Sequence, residues 1–187
     1  MTPTEAVVPN HSEIDLRYTW NATSVFPTVE AWEAEVERVA GDLAGLQQYV
    51  GHLADGPATL ADALDASQAL KQRVYKLYVY AGMDYAVDTQ NQPAAKRYGR
   101  SQGLAAQLAA ASAFVGPEIL AFGEATVRGW LAEEPRLAYL QHYVDNLFRK
   151  QAHVRSAEVE ELLGALAAPL ANVETTASML TLSLIHI

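Results

Sequence analysis

Apolar residues recur along this chain at steps of three and four, the period of a helix laid against a core. The clearest run follows Pro27, where Trp32, Val36, Val39, Leu43, Leu46, Val50 and Leu53 draw one stripe. Glu33, Glu35, Glu37 and Asp42 fall on its solvated sides. Thr28 is the predicted N-cap, Glu30 suits the first turn, and Gly56-Pro57 closes the element. A second helix is predicted to open at Thr59, with Asp62 three residues on, close to the capping-box pattern. It runs to about Val87 through Leu60, Leu64, Leu70, Val74, Leu77 and Ala81.

One segment of that helix disagrees locally. Val74 to Tyr80 is rich in aromatic and β-branched residues, which favour a strand. A lone central strand would have no pairing partner, so helix is the expectation there too. Asp88 to Gln92 reads as a polar turn, and Pro93 suits the start of a third helix over Ala94 to Val115, ended by Gly116-Pro117. Shorter helices are expected over 117–122, 124–132, 136 to about 150, and 157 to about 171. Pro3, Pro9 and Pro27 punctuate the first 27 residues, which carry no helical period and read as an extended lead-in. The predicted fold class is therefore all-α: an extended N-terminal lead-in, then an array of long antiparallel helices and shorter ones.

Composition agrees, with 33 alanines and 22 leucines against 4 phenylalanines. The net charge of −9 argues against a nucleic-acid partner, whose phosphates demand bases. With no cysteine, the chain has no disulfide framework, cysteine nucleophile or thiolate metal site. Residues 1–10 lack the bases and apolar run of a signal peptide, and no 18-residue apolar stretch is uninterrupted. A cytoplasmic protein without a membrane partner is expected. The sequons Asn10-His11-Ser12 and Asn21-Ala22-Thr23 then read as chance triplets.

Charge is unevenly spread. The first 62 residues are strongly acidic, whereas Lys71, Arg73, Lys76, Lys96, Arg97 and Arg100 make the stretch from 71 to 100 basic. Solvated helix faces with one inter-helix electrostatic match are the favoured explanation. The competing one has these bases holding an anionic group in a cleft.

Catalytic signatures are absent. None of His11, His52, His142, His153 and His186 is followed by Glu, so there is no H-E-x-x-H, and none completes a Glu-x-x-His pair. His142 and His153 could share a helix face only if the helix ran through Lys150-Gln151-Ala152, which reads as a turn. Nucleophile elbows and phosphate-binding glycine loops are missing as well. Glu158, Glu160 and Glu161 cluster at a predicted helix N-terminus, where the dipole accounts for them. Tyr75, Tyr78, Tyr80 and Tyr85 occupy several faces of one helix and read mostly as core or boundary aromatics. No catalytic, cofactor-binding or metal residue is assigned.

Three stretches together resemble the N-terminal part of oligoendopeptidase F, of the thimet-oligopeptidase-like zinc metallopeptidases. Tyr18-Thr19-Trp20-Asn21, Val25-Phe26-Pro27 and Glu30-Ala31-Trp32-Glu33-Ala34-Glu35 resemble the family's Trp-Asp-Leu lead-in and Glu-Ala-Trp first helix. Leu77-Tyr78-Val79-Tyr80-Ala81, Met83, Tyr85 and Asp88-Thr89 are similar to its Tyr-Ala-x-Met segment. The most specific block runs from Tyr139-Leu140-Gln141-His142-Tyr143 through Leu147-Phe148-Arg149-Lys150 and His153-Val154 to Ser156–Leu163.

The resemblance implies a zinc-dependent endopeptidase of short peptides, in which a zinc-bound water and a glutamate base attack the scissile carbonyl. It gives the helical N-terminal portion the role of channel wall and substrate gate, with the missing C-terminal catalytic domain as its partner. It also implies a helical region over 28–180 after the 1–27 lead-in. Asn21-Ala22 departs slightly from the family's Asp-Leu. Residues 181–187 depart altogether, with Ser-Leu-Ile-His-Ile resembling translated adapter, so a non-native or truncated tail is expected. A fragment of this kind is expected to be inactive alone. The alternative is a self-standing helical scaffold or protein-interaction module, which the amphipathic stripes alone would equally support.

Overall fold

The structure is a computed structural model that describes residues 13–151 together with Val173, Thr176, Ala177 and Leu180. The chain divides into two units, Met1–Gln141 and His142–Ile187. Every regular element among the described residues is helical.

In the first unit the lead-in carries two single 3-10 turns, Leu16–Tyr18 and Ala22–Ser24. Asp15 caps the first by accepting from the Arg17 amide at 3.0 Å. Helix α1 spans Val29–Asp42, and the Thr28 hydroxyl accepts from the Ala31 amide at 3.2 Å, the predicted N-cap. Beyond Asp42 the chain tightens to a 3-10 helix over Leu43–Tyr49. That corrects the single long helix expected from the stripe. Gly41 and Gly45 weaken α-helical winding here, and a three-residue turn stacks Leu43, Leu46 and Tyr49 along one edge. Val50, which the α-period assigned to the core, is 42% exposed, whereas Leu53 is fully buried.

Helix α2 runs Pro57–Val87. It starts two residues before the expected Thr59, because Gly56 at φ 151° makes the turn and Pro57 at the first position sacrifices only an amide that has no helical partner. The Asp62 carboxylate accepts from Arg136 at 2.7 Å instead of capping. The strand-favouring Val74–Tyr80 segment is helical throughout, since Val74, Leu77, Tyr80 and Ala81 are all buried at helical spacing. Helix α3, Gln92–Ala111, begins on Asn91, whose side chain accepts from the Ala94 amide at 3.1 Å. A four-residue turn joins α2 to α3, so the two pack side by side in opposite directions, and α1 packs on both.

The expected helix end at Gly116-Pro117 lies instead inside α4, Val115–Phe122. Pro117 cannot donate to a carbonyl four residues back, so a helix continuous from α3 would be broken there; within the first turn of α4 that missing amide has no helical partner. The stretch Gln92–Phe122 is long and apolar enough, by length and composition alone, to cross a membrane. Its helix is nevertheless interrupted after Ala111, and Leu104 and Leu108 face the core. Gly123 at φ 87° turns the chain into α5, Glu124–Glu133, followed by a 3-10 helix over Pro135–Leu140.

The main core joins Trp32, Val36, Val39, Leu43 and Leu46 to Leu70, Val74, Leu77, Tyr80 and Ala81 of α2 and to Leu104 and Leu108 of α3. Val25 and Phe26 of the lead-in pack against it, Phe26 edge-on to Tyr80 with ring centroids 5.4 Å apart. The Glu118 carboxylate of α4 accepts from the Gly51 and Leu53 amides, at 2.6 and 3.3 Å. It thereby pins the connection between α1 and α2.

In the second unit, α6 (Gln141–Gln151) begins at the unit boundary, buries Val144, and ends with Arg149 and Lys150 where the helix dipole favours cations. Lys150 and Gln151 are helical, which corrects the turn expected there, and Ala152 lies outside the described residues. The helix expected over 157–171 and the tail 181–187 lie outside the described residues.

Candidate functional site

The acidic and basic stretches meet across the helix array. Arg73 on α2 donates to Glu35 and Asp42 of α1, both at 2.6 Å. Arg100 on α3 donates to Glu33 and, at 2.8 Å, to Glu37, with its guanidinium 5.7 Å from the Trp32 ring centre. Arg97 pairs with Asp84, joining α3 to α2. The favoured match between the two stretches is thus realised for Arg73 and Arg100, whereas Arg97 finds its partner within the basic stretch itself. Lys71, Lys76 and Lys96 are exposed.

Burial pushes the Glu35 carboxyl up, but the hydrogen bonds from Arg73 and Arg38 outweigh it and hold it below the usual carboxylate range. Arg73 is raised in turn by its bonds to Glu35 and Asp42. An exposed network repeats the pattern, Arg136 reaching Asp62, Asp65 and Glu134.

Tyr98, which the sequence reading did not single out, organises an aromatic cluster between α2 and α3. Its ring stacks on Tyr85 at 5.3 Å and lies 5.2 Å from Tyr78, and the Tyr78 and Tyr98 hydroxyls are 2.7 Å apart. The ring lies over Gly82, where an added Cβ would stand 3.4 Å from Tyr98 Cε2, at ordinary contact distance. The bond to Tyr78, aided by burial, pushes the Tyr98 phenol up to about 12. Tyr75 is 66% exposed, unlike buried Tyr80.

Two clefts flank the turn between α2 and α3. One, about 480 Å³, is bounded by Glu33, Gln92, Pro93, Lys96, Arg97 and Arg100. Its two arginines are already paired with carboxylates, which leaves Lys96 as its exposed cation. The other, about 370 Å³, lies between the lead-in and the last turns of α2.

Of the histidines, His52 sits 2.9 Å from Asp55 on the surface, and His142 lies 2.8 Å from Asn146. His11, His153 and His186, like Glu158, Glu160 and Glu161, fall outside the described residues. Among the described residues no three His, Asp or Glu side chains converge as a metal site would require.

Against this geometry, residues 118–185 match the family profile described as Oligopeptidase F. Oligoendopeptidase F (plasmid) of Lactococcus lactis subsp. cremoris is 32% identical over 157 residues, 83% of this chain and 26% of that protein. The chain belongs to the oligoendopeptidase F family. Oligopeptidase PepF of Bacillus subtilis, 31% identical, extends the match to 92% of the chain and again 26% of the relative. The chain therefore spans about a quarter of the length of the curated relatives it matches. Oligoendopeptidase-F of Enterococcus faecium has a solved structure similar to this one at a TM-score of 0.62 and 25% identity, over 74% of this chain and 28% of that one. A putative peptidase from Chlamydophila abortus is similar at a TM-score of 0.69 and 25% identity, over 85% of this chain and 27% of that one. The all-helical array is accordingly the oligoendopeptidase F arrangement of an N-terminal portion.

Proposed function

We propose that this chain is the helical N-terminal part of a zinc-dependent oligoendopeptidase that hydrolyses short peptides in the cytoplasm. Its contribution is one wall of the substrate channel and the gate that admits peptides. The observation that carries this reading is similarity along 83% of the chain to an oligoendopeptidase F of which the matched part is 26%. The packing is suited to a wall: α1, α2 and α3 share one core and are cross-linked by the Arg73 and Arg100 ion pairs. The self-standing scaffold has less support, because relatives matched at this level are much longer proteins.

The described residues do not fit a zinc site, since no suitable side chains converge. In this reading the metal and the glutamate base belong to a catalytic domain outside the chain. No bond-making step is assigned to any residue numbered here. The chain's own task is to bind and exclude, with short peptides as the substrate and the catalytic domain as the partner. Reading the source gene beyond Ile187 tests the proposal. An in-frame continuation carrying H-E-x-x-H on a helix is expected, and a continuation without it ends the proposal.

A further inference from the structure

The groove of about 370 Å³ beside the lead-in is of the size that holds a small ligand, and its walls are of two kinds. On α2, Met83 and Val87 are one turn apart and form an apolar column; Asp84 on the same helix and Asp88, the extended residue that caps it, put two carboxylates on the same groove. The lead-in supplies the facing wall through Leu16 and Trp20, which are 84% and 64% exposed although both line the groove. Together with Met83 and Val87 they give the groove two apolar sides that a ligand side chain could fill.

Charge narrows what the partner is. Asp84 is neutralised by Arg97. The Asp88 carboxylate accepts from the Gln90 amide, at 2.9 Å, and among the described residues no cation pairs with it. Asp88 is also the C-cap of a 31-residue helix with no base in its last turn, whose last carbonyls add negative potential beside the carboxylate, while the N-terminus of α3 at Asn91, on the same groove, offsets part of it. The Trp20 ring offers a cation a further attractive face. The groove therefore asks for a positive charge carried directly beside an apolar side chain.

We infer that this groove binds the N-terminal residue of an oligopeptide, its α-ammonium group on Asp88 and its apolar side chain between Trp20 and the Met83–Val87 column. A free amino terminus carries both features on one carbon, matching a groove where the Asp88 carboxylate and the Met83–Val87 column line the same walls. A lysine side chain instead separates its charge from the backbone by a long stem. The inference rests on the peptide-handling role proposed above and names which end of the peptide this part of the protein holds.

The test is titration of the 187-residue chain with Leu-Ala-Gly-Gly-amide, followed by NMR at the three tryptophan indole N–H groups, that of Trp20 assigned through Trp20→Phe. A saturable shift confined to the Trp20 resonance is expected. Asp88→Asn, which keeps the cap on Gln90, is expected to weaken binding about tenfold, the loss of one charge-assisted hydrogen bond. The N-acetylated peptide should give no shift. An equal shift from the acetylated peptide, or a stronger one from N-acetyl-Gly-Gly-Lys-amide, overturns the assignment to the amino terminus. No shift at millimolar peptide overturns the site, as does a Trp20 resonance that depends on protein concentration alone and so reports a second copy. These readings need no hydrolysis. Failure here leaves the peptidase proposal standing, and a gene without H-E-x-x-H leaves binding by this groove intact.

Discussion

Trp32 links α1 to α2 in two ways. Its ring is fully buried in the main core, and its indole N–H donates to the Leu77 carbonyl at 3.0 Å. Trp32→Ala is expected to cost about 3–5 kcal/mol, because surrounding helices collapse only partly into the space left. Trp32→Phe keeps most of the volume and loses the hydrogen bond, so about 1 kcal/mol beyond any packing change is expected. Denaturant midpoints of both variants check the order. Tyr98 sets the alkaline limit of its cluster. Its phenol is pushed up to about 12 in the fold, against about 10 for a free tyrosine. The folded state thus favours the neutral form, and the stabilisation is fully present below pH 10 and lost as pH rises towards 12. Tyr98→Phe should remove that pH dependence between these values, measured as denaturant midpoint against pH alongside tyrosinate absorbance. Spacing placed Trp32 on the core stripe, but neither its hydrogen bond to Leu77 nor the role of Tyr98 was legible that way. Tyr98 lies 20 residues from Tyr78, and only the reversal between α2 and α3 brings their hydroxyls together.

At the scale of elements, sequence reading succeeded where one period runs unbroken and failed where the winding changes. The end of α2 at Val87 and the cap at Thr28 were readable, because helical spacing and a hydroxyl before it are local signals. The switch to 3-10 winding after Asp42 was not, since Leu43 and Leu46 fit steps of three or four equally well. Two glycines in this region separate the effects. Gly45 has ordinary backbone angles and open space around its Cα, so Gly45→Ala should stabilise by about 0.4–1 kcal/mol through a less flexible unfolded chain. Gly51 also has open space but stands at φ 79°, where an L side chain is strained. Gly51→Ala should therefore destabilise, by about 1 kcal/mol or more. Opposite shifts in melting temperature are the outcome; equal shifts would show that backbone angle does not decide here.

For the whole molecule, the distribution of charge acquires meaning only in three dimensions. Arg100 and Glu33 lie 67 residues apart, and the sequence could announce a match between stretches without naming the pairs. The same holds for the groove, whose two walls come from the lead-in and the end of α2 and which no local motif announced. What the described residues do not bring together is a group of three His, Asp or Glu side chains that could hold a metal ion. His52 and His142 are each near one surface partner, and the carboxylates of α1 are held by arginines from other helices. A carboxylate locked in an ion pair and held below its ordinary pKa, as Glu35 is, is a poor general base at neutral pH. The purified 187-residue chain is therefore expected to leave a fluorescence-quenched oligopeptide uncut, with or without added zinc, even while it binds free amino termini. The decisive comparison is between this chain and the product of a longer reading frame, expressed and purified identically. Cleavage should follow the longer product and be abolished by a chelator. Cleavage that stays with the short chain through successive columns, and that Asp88→Asn alters, would place catalysis in these helices and refute the division of labour argued for them.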